Sequence, residues 1–266
     1  MSPIVIILAL AVIQGLCEFL PVSSSGHLVL TQAFFGLKEP EILLDLVLHL
    51  GTLLAVLVFY RKSLLSLFSE LRFLPGAVIH GTVLRTARER PDFKLGLFII
   101  IGSVPTAIIG LLAQKRLEAL FASVSAVGVA LLITAGVLTF TAFRKSLPTK
   151  SIELMTVYDA LIIGTFQGLA IAPGLSRSGL TIACALTLGL TRDLSAKYSF
   201  LLSIPAILGG LLLSVGQGQT SSLGPGYLLI GLAVSALVGY CSLRFLTYVV
   251  DRGRLALFAP WCFSVG

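Results

Sequence analysis

The sequence predicts an all-α integral membrane protein built as an inverted-topology repeat, with two re-entrant helix-loop-helix pairs and five to six spanning helices. Three observations carry that prediction. The 266 residues are 56% hydrophobic and 12% charged, with a mean hydropathy of +1.02, about half the charge a soluble domain uses to cover its surface. Their apolar residues gather into long runs with the charges between them. Two of the shorter runs carry the same broken pattern 153 residues apart, as set out below. Together these exclude a cytosolic enzyme and a disordered chain.

Length sorts the elements, because a spanning helix needs about 20 apolar residues and a run of about 10 to 14 is more often re-entrant or interfacial. Residues 4–20 are long enough to span, but they hold Gln14 and Glu18 and run into Pro21-Val22-Ser23-Ser24-Ser25-Gly26. A ten-residue run over 28–37 follows, so this pair is predicted to dip in and return. Full spans are predicted over 42–60, 93–113 and 120–143. The broken form recurs as 160–172, then Pro173-Gly174-Leu175-Ser176-Arg177-Ser178-Gly179, then 180–190. Two more spans, 194–215 and 223–246, complete the set.

The two broken sets align: Gln14-Gly15-Leu16 with Gln167-Gly168-Leu169, and Ser23, Ser25 and Gly26 with Ser176, Ser178 and Gly179, all at an offset of 153. Three spans between them turn the second copy upside down, the architecture in which broken helices meet near the midplane. A single transmembrane domain over 1–266 is therefore expected, with a first repeat over 1–150 and a second over 151–266. Only residues 255–266 follow Arg254, too few for a further crossing, so the last helix of the second repeat is expected to be truncated. The N-terminus lacks a basic leader and a small-residue cleavage site, and is expected to be retained. Pro105 and Pro205, each in a Ser-x-Pro triplet, are expected to kink their helices.

Orientation follows from Lys and Arg. Fifteen of the nineteen lie on one side, in 61–94, 144–159, 191–197 and 244–254, against Lys38, Lys115 and Arg116 on the other. That side is cytoplasmic, which leaves the first re-entrant pair open to the outside. The net charge of +7 thus reflects topology and not nucleic-acid binding, since no interleaved basic-aromatic surface accompanies it. The stretch 61–94 reads as a loop anchoring the topology beside anionic lipid. Tyr60, Tyr248 and Trp261 read as interfacial aromatics, and the four cysteines as helix-packing residues.

A carboxylate inside a membrane segment is costly, so Glu18, one helical turn from Gln14, is a candidate functional group. Ser23-Ser24-Ser25-Gly26-His27 places hydroxyls and an imidazole at the start of a short helix, where exposed N–H groups favour an anion; a helix cap accounts for one serine but not for the run. Arg177 is the sole basic residue well inside an apolar stretch, and its guanidinium with Ser176, Ser178 and Thr181 suits phosphate oxygens. The copies are complementary, since Glu18, Ser24 and His27 face Ile171, Arg177 and Leu180 in the alignment. One copy supplies acid-base groups and the other an anion clamp, the combination that phosphoryl transfer requires. Asp45 and His49, four apart on a span, read equally as support for the site or as a packed polar pair.

Gln14-x-x-x-Glu18, the run from Pro21 to His27, and the run from Pro173 to Thr181 resemble the signatures of the undecaprenyl-diphosphate phosphatase family, the bacitracin-resistance type of bacterial inner-membrane enzyme. The resemblance covers about residues 5 to 260. It implies hydrolysis of undecaprenyl diphosphate to the monophosphate and inorganic phosphate, recycling the lipid carrier for peptidoglycan synthesis, with Mg or Ca as cofactor and a site open to the periplasm. Carried onto this sequence it assigns Glu18, His27, Ser24 and Arg177 to catalysis, Ser23, Ser25, Ser176, Ser178 and Thr181 to substrate binding, and Glu18 with Gln14 to the metal. Gln14 stands where a second Glu is common in the family, keeping an oxygen ligand without the charge. The expected partners are the diphosphate and membrane lipid, with a homodimer left open.

Two rivals are weighed. Acid-phosphatase-like lipid phosphatases need a His seven residues after the Ser of their Ser-Arg motif, and Ala183 stands there. A secondary transporter or lipid flippase shares the inverted-repeat architecture, but the serines and His27 beside Glu18 are more acid-base equipment than binding needs.

Overall fold

A computed structural model describes residues 2–35, 42–121, 123–143, 149–215 and 224–266. The predicted stretch to residue 37, the predicted start at 223, and Lys38, Arg144 and Lys145 lie outside the described residues. In chain order the helices are α1 (Pro3–Phe19), α2 (Ser24–Phe34), α3 (Ile42–Phe59), α4 (Arg61–Leu71), α5 (Leu74–Ile79), α6 (Val83–Glu89), α7 (Pro91–Phe121), α8 (Val124–Ala142), α9 (Val157–Leu169), α10 (Arg177–Thr187), α11 (Arg192–Val215) and α12 (Pro225–Asp251). A 3-10 turn (Leu255–Phe258) and α13 (Ala259–Val265) follow. No strand occurs among the described residues; this is an all-α, multi-pass membrane protein.

Four stretches are long and apolar enough to cross a membrane: Pro91–Ala113, Val124–Ala142, Arg192–Leu213 and Pro225–Asp251. A fifth forms when α3 is taken with the helices after it, from which it is bent by 79°. The outer faces of these helices carry large apolar side chains, with Leu112 82% exposed and Leu212 75%, as a lipid solvent allows. Both Pro105 and Pro205 sit inside continuous helices.

The short helices form where expected, for local reasons. Pro3 starts α1, and the chain leaves it in extended conformation at Leu20, ahead of Pro21, which cannot continue a helix. Ser23 caps α2 by accepting from the Gly26 amide, and Ser176 caps α10 by accepting from the Gly179 amide. Thr156 and Asp159 form a reciprocal capping box on α9. The 11 residues of α2 and the 11 of α10 coincide at the offset of 153 read from the sequence. Packing is paired in the same sense: α1 lies on α12 and α2, while α9 lies on α7 and α10.

Glycines allow the closest crossings. A Cβ at Gly164 of α9 would meet the Gly102 carbonyl oxygen of α7 at 1.9 Å, and one at Gly15 of α1 would meet Val238 of α12 at 2.8 Å. Small residues at such contacts let membrane helices approach without a hydrophobic driving force. Between the halves, Phe19, Val56, Leu138, Ile182, Phe200 and Leu246 form one buried apolar cluster that fixes the α2 and α10 loops against each other.

The stretch 61–94, read as a loop, instead holds α4, α5 and α6. Leu64, Leu67 and Leu71 recur there at helical spacing among the charges. Turned away from α3, α4 exposes Leu65 and Phe68, as an in-plane interfacial helix would. Tyr60, read as an interfacial aromatic, has ring contacts to both Phe59 and Phe200.

Candidate active site

The two capped loops meet at Glu18. Its carboxylate, 5% exposed, is surrounded by groups from both halves of the chain. Arg177 donates through Nη2 to Oε1, and Ser24 Oγ donates to Oε2 at 2.6 Å. Gln14 Nε2 donates to Oε2 at 3.0 Å, and His49 Nε2 lies 3.7 Å from the same oxygen. A buried carboxylate survives only when paired and hydrogen-bonded, and here both oxygens are.

Each neighbour is itself fixed. Ser24 is the first residue of α2, and Arg177 the first of α10, so both project from helix N-termini whose dipoles favour anions. His49 donates through Nδ1 to the Asp45 carbonyl oxygen at 2.7 Å, and Gln32 Nε2 bridges both Asp45 carboxylate oxygens at 3.0 and 3.1 Å. The α10 loop is held from below by Thr134, which donates to the Gly174 carbonyl and accepts from the Ser176 amide, both at 3.1 Å. Gly174 has φ +91°, and a Cβ there would meet the Val127 carbonyl oxygen at 2.4 Å, so both backbone and space require glycine.

These groups wall a cavity of about 1240 Å³. Its polar end holds Glu18, Ser24, His49 and Arg177, with Ser23, Ser25 and Ser176 beside them. Most of the remaining lining is apolar and includes Leu111, Val124, Ile171, Ile207, Leu212 and Leu213. Gln32, Asp45, Ser103, Thr106 and Gln167 add further polar groups to its lining.

Comparison with known proteins matches residues 7–266 to the family model of the bacitracin resistance protein BacA. The chain belongs to the BacA family. A protein named undecaprenyl-diphosphatase from Desulfatibacillum aliphaticivorans is 46% identical over 263 residues, covering 98% of this chain and 95% of the relative. Others of the same name from Desulfosudis oleivorans and Carboxydothermus hydrogenoformans are 44% and 40% identical, over 97% of this chain and 94% and 93% of the relatives.

Of the residues singled out in this BacA family chain, Glu18, Ser23, Ser24, Ser25, Ser176 and Arg177 all reach the cavity. Four others do not. Gln14 is fully buried, with its amide donating to Glu18. Ser178 Oγ lies 3.3 Å from Ser176 Oγ and 3.5 Å from the Leu20 carbonyl, and Thr181 Oγ1 bonds the Arg177 carbonyl and Ser199 Oγ within the helix packing. Both sit beneath the α10 loop as supports. His27 turns outward, its Nδ1 2.9 Å from the Ser23 carbonyl oxygen and its Nε2 accepting from Trp261 Nε1 at 2.9 Å. The imidazole on the cavity wall is that of His49, whose signal in the sequence is its one-turn spacing from Asp45.

The donor set bears on the metal. No group of three or more His, Cys, Asp and Glu side chains suited to a metal occurs among the described residues, so a cage made of protein alone does not fit. An ion held mainly by substrate phosphates with one carboxylate does fit, as is usual for Mg. Glu18 offers that carboxylate. Gln14 Oε1 is buried and without a hydrogen-bond partner, while the Gln14 amide nitrogen is the atom turned to Glu18.

Proposed function

We propose that this chain hydrolyses undecaprenyl diphosphate to undecaprenyl phosphate and inorganic phosphate, with its site open to the periplasmic side of the bacterial inner membrane. The activity recycles the lipid carrier of peptidoglycan synthesis and accounts for bacitracin resistance. One observation carries the reading: a serine hydroxyl held 2.6 Å from a buried carboxylate that is also paired with an arginine, on the wall of a mainly apolar cavity. The names of the relatives support it.

The diphosphate binds at the N-termini of α2 and α10, and the polyprenyl tail follows the apolar walls toward lipid. Arg177 is shared: phosphate oxygens draw its guanidinium away from Glu18, and the freed carboxylate becomes a better base. Glu18 takes the Ser24 proton, and Ser24 Oγ attacks the terminal phosphorus. The bond from that phosphorus to the bridging oxygen breaks, so undecaprenyl phosphate leaves with the electron pair. Water then attacks the phosphoserine, inorganic phosphate departs, and the proton returns from Glu18 to Ser24. Arg177 and the two helix N-termini stabilise the charge on the transferred group. With Glu18 and Gln14 as its protein ligands, a bound Mg or Ca ion supplies neutralisation of the phosphate oxygens.

The test is phosphate release from undecaprenyl diphosphate by the detergent-purified chain. One inorganic phosphate per lipid is expected. A folded protein that binds the lipid and releases none would instead be a carrier of phosphorylated lipid.

A further inference from the structure

His27 has no nitrogen left for the reaction. The Ser23 carbonyl can only accept and the Trp261 indole N–H can only donate, so the two contacts assign a neutral imidazole with its proton on Nδ1. Both ring nitrogens are used, and the two rings lie nearly parallel at 14°. Neither His27 nor Trp261 lines the cavity.

What the imidazole holds is unusual backbone. Ser23, at φ 69° and ψ 101°, is the only residue other than glycine with positive φ among the described residues. Its carbonyl oxygen accepts from both the backbone N–H and the Nδ1–H of His27, at 3.2 and 2.9 Å. The equivalent Ser176 caps its helix in the same way but at φ −82° and ψ 113°. There the position matching His27 is Leu180. The strained serine and the imidazole therefore occur together in one loop and are both missing from the other. The residue after the strained one is Ser24, whose hydroxyl lies on Glu18. Trp261 is anchored in turn, because α13 packs on α8 and Cys262 Sγ lies 3.5 Å from the Pro21 carbonyl oxygen.

We propose that His27 and Trp261 are positioning residues: the indole, acting through the imidazole, holds Ser23 in its left-handed conformation and so aims the Ser24 hydroxyl at Glu18. This rests on the reading of Ser24 as the reacting hydroxyl. It makes α13, more than 230 residues away along the chain, part of the device that arms the first loop.

Trp261 is the single tryptophan, so its emission reads the contact without any turnover. In the purified full chain, His27→Ala should shift that emission while Ser24→Ala leaves it unchanged. Trp261→Phe keeps an aromatic ring but loses the N–H, and should lower kcat on undecaprenyl diphosphate by about 10- to 100-fold with KM within about twofold, as expected when a reacting group is misaimed. His27→Asn keeps an N–H donor for the Ser23 carbonyl and cannot carry a proton as imidazole does. It should keep at least about a tenth of wild-type kcat, well above His27→Ala. Unchanged kcat in Trp261→Phe overturns the proposal. So does His27→Asn as inactive as His27→Ala with wild-type emission and melting temperature, which would make His27 a proton carrier. If the wild-type chain itself released no phosphate, the hydrolysis reading would have failed, and the clamp would still be judged by emission: no shift on His27→Ala overturns it.

Discussion

Arg177 and Glu18 lie 159 residues apart in sequence and form a buried ion pair across the two halves of the fold. Neither charge could stay buried alone, since removing one member of such a pair typically costs about 3 to 5 kcal/mol. The pair therefore joins the halves and holds the two charges on which the proposed chemistry rests.

Removing the clamp should cost both stability and rate, and the two can be separated. Glu18→Gln combined with Arg177→Met removes both charges and should melt closer to wild type than Arg177→Met alone. A double variant that melts no higher than the single one would mean that the pair contributes nothing to assembling the halves. Thermal unfolding of the detergent-purified variants reads this.

Ser24→Ala should lower kcat by at least about 100-fold, because the route through a phosphoserine loses its nucleophile. A rapid acid quench of wild type with terminally labelled substrate should retain label on protein, and Ser24→Ala should retain none. Activity of Ser24→Ala within about tenfold of wild type would instead assign the attack to a water on Glu18.

His49→Ala should lower kcat/KM by about 10-fold, since a side chain fixed by Asp45 no longer flanks the Glu18 carboxylate; losing an outer partner of a reacting group typically costs about 10- to 100-fold. Steady-state kinetics check this, and a change under twofold would reduce His49 to a wall residue.

Much of this site was legible before the fold, and the exceptions have physical causes. The breaks before α2 and α10 could be read because serine, glycine and a following apolar run are local signals, and the shared offset of 153 tied them together. Trp261 could not be connected with His27, because no periodicity links residues 234 apart. Ser178 and Thr181 follow Arg177 so closely in the motif that the sequence groups them with it, yet on a helix their side chains turn toward Leu20 and Ser199. His49 could be read as support for the site or as half of a packed polar pair with equal ease, since which face of α3 meets the cavity depends on α1 and α12. The helices of 61–94 were hidden by their charge, which a search for long apolar runs passes over.

Gly174 and Gly189 separate backbone strain from lack of space, as both have φ +91°. Gly189→Ala meets nothing within 4 Å and should cost only about 1 to 2 kcal/mol for the left-handed backbone. Gly174→Ala adds a clash with the Val127 carbonyl and should lower the melting temperature further and reduce activity with it. Equal melting temperatures would contradict the close packing of the α10 loop on α8.

Treatment with EDTA should abolish phosphate release, and added Mg or Ca should restore it. Glu18→Gln should lose most of its kcat with the base and, in the activity that remains, should need more of the ion for half-maximal rate, by about tenfold or more, because it removes the single carboxylate of the proposed ligand set. Full activity in excess EDTA would remove the metal from the account.

The central claim is that Arg177 and Glu18 form a phosphoryl-transfer site, and phosphate release from undecaprenyl diphosphate by wild type and Arg177→Ala, both shown to be inserted and monodisperse, tests it most directly. The account predicts metal-dependent release by wild type and a loss of about 100- to 1000-fold in the variant, the usual cost of one transition-state donor. Wild-type turnover by a well-inserted Arg177→Ala would contradict it.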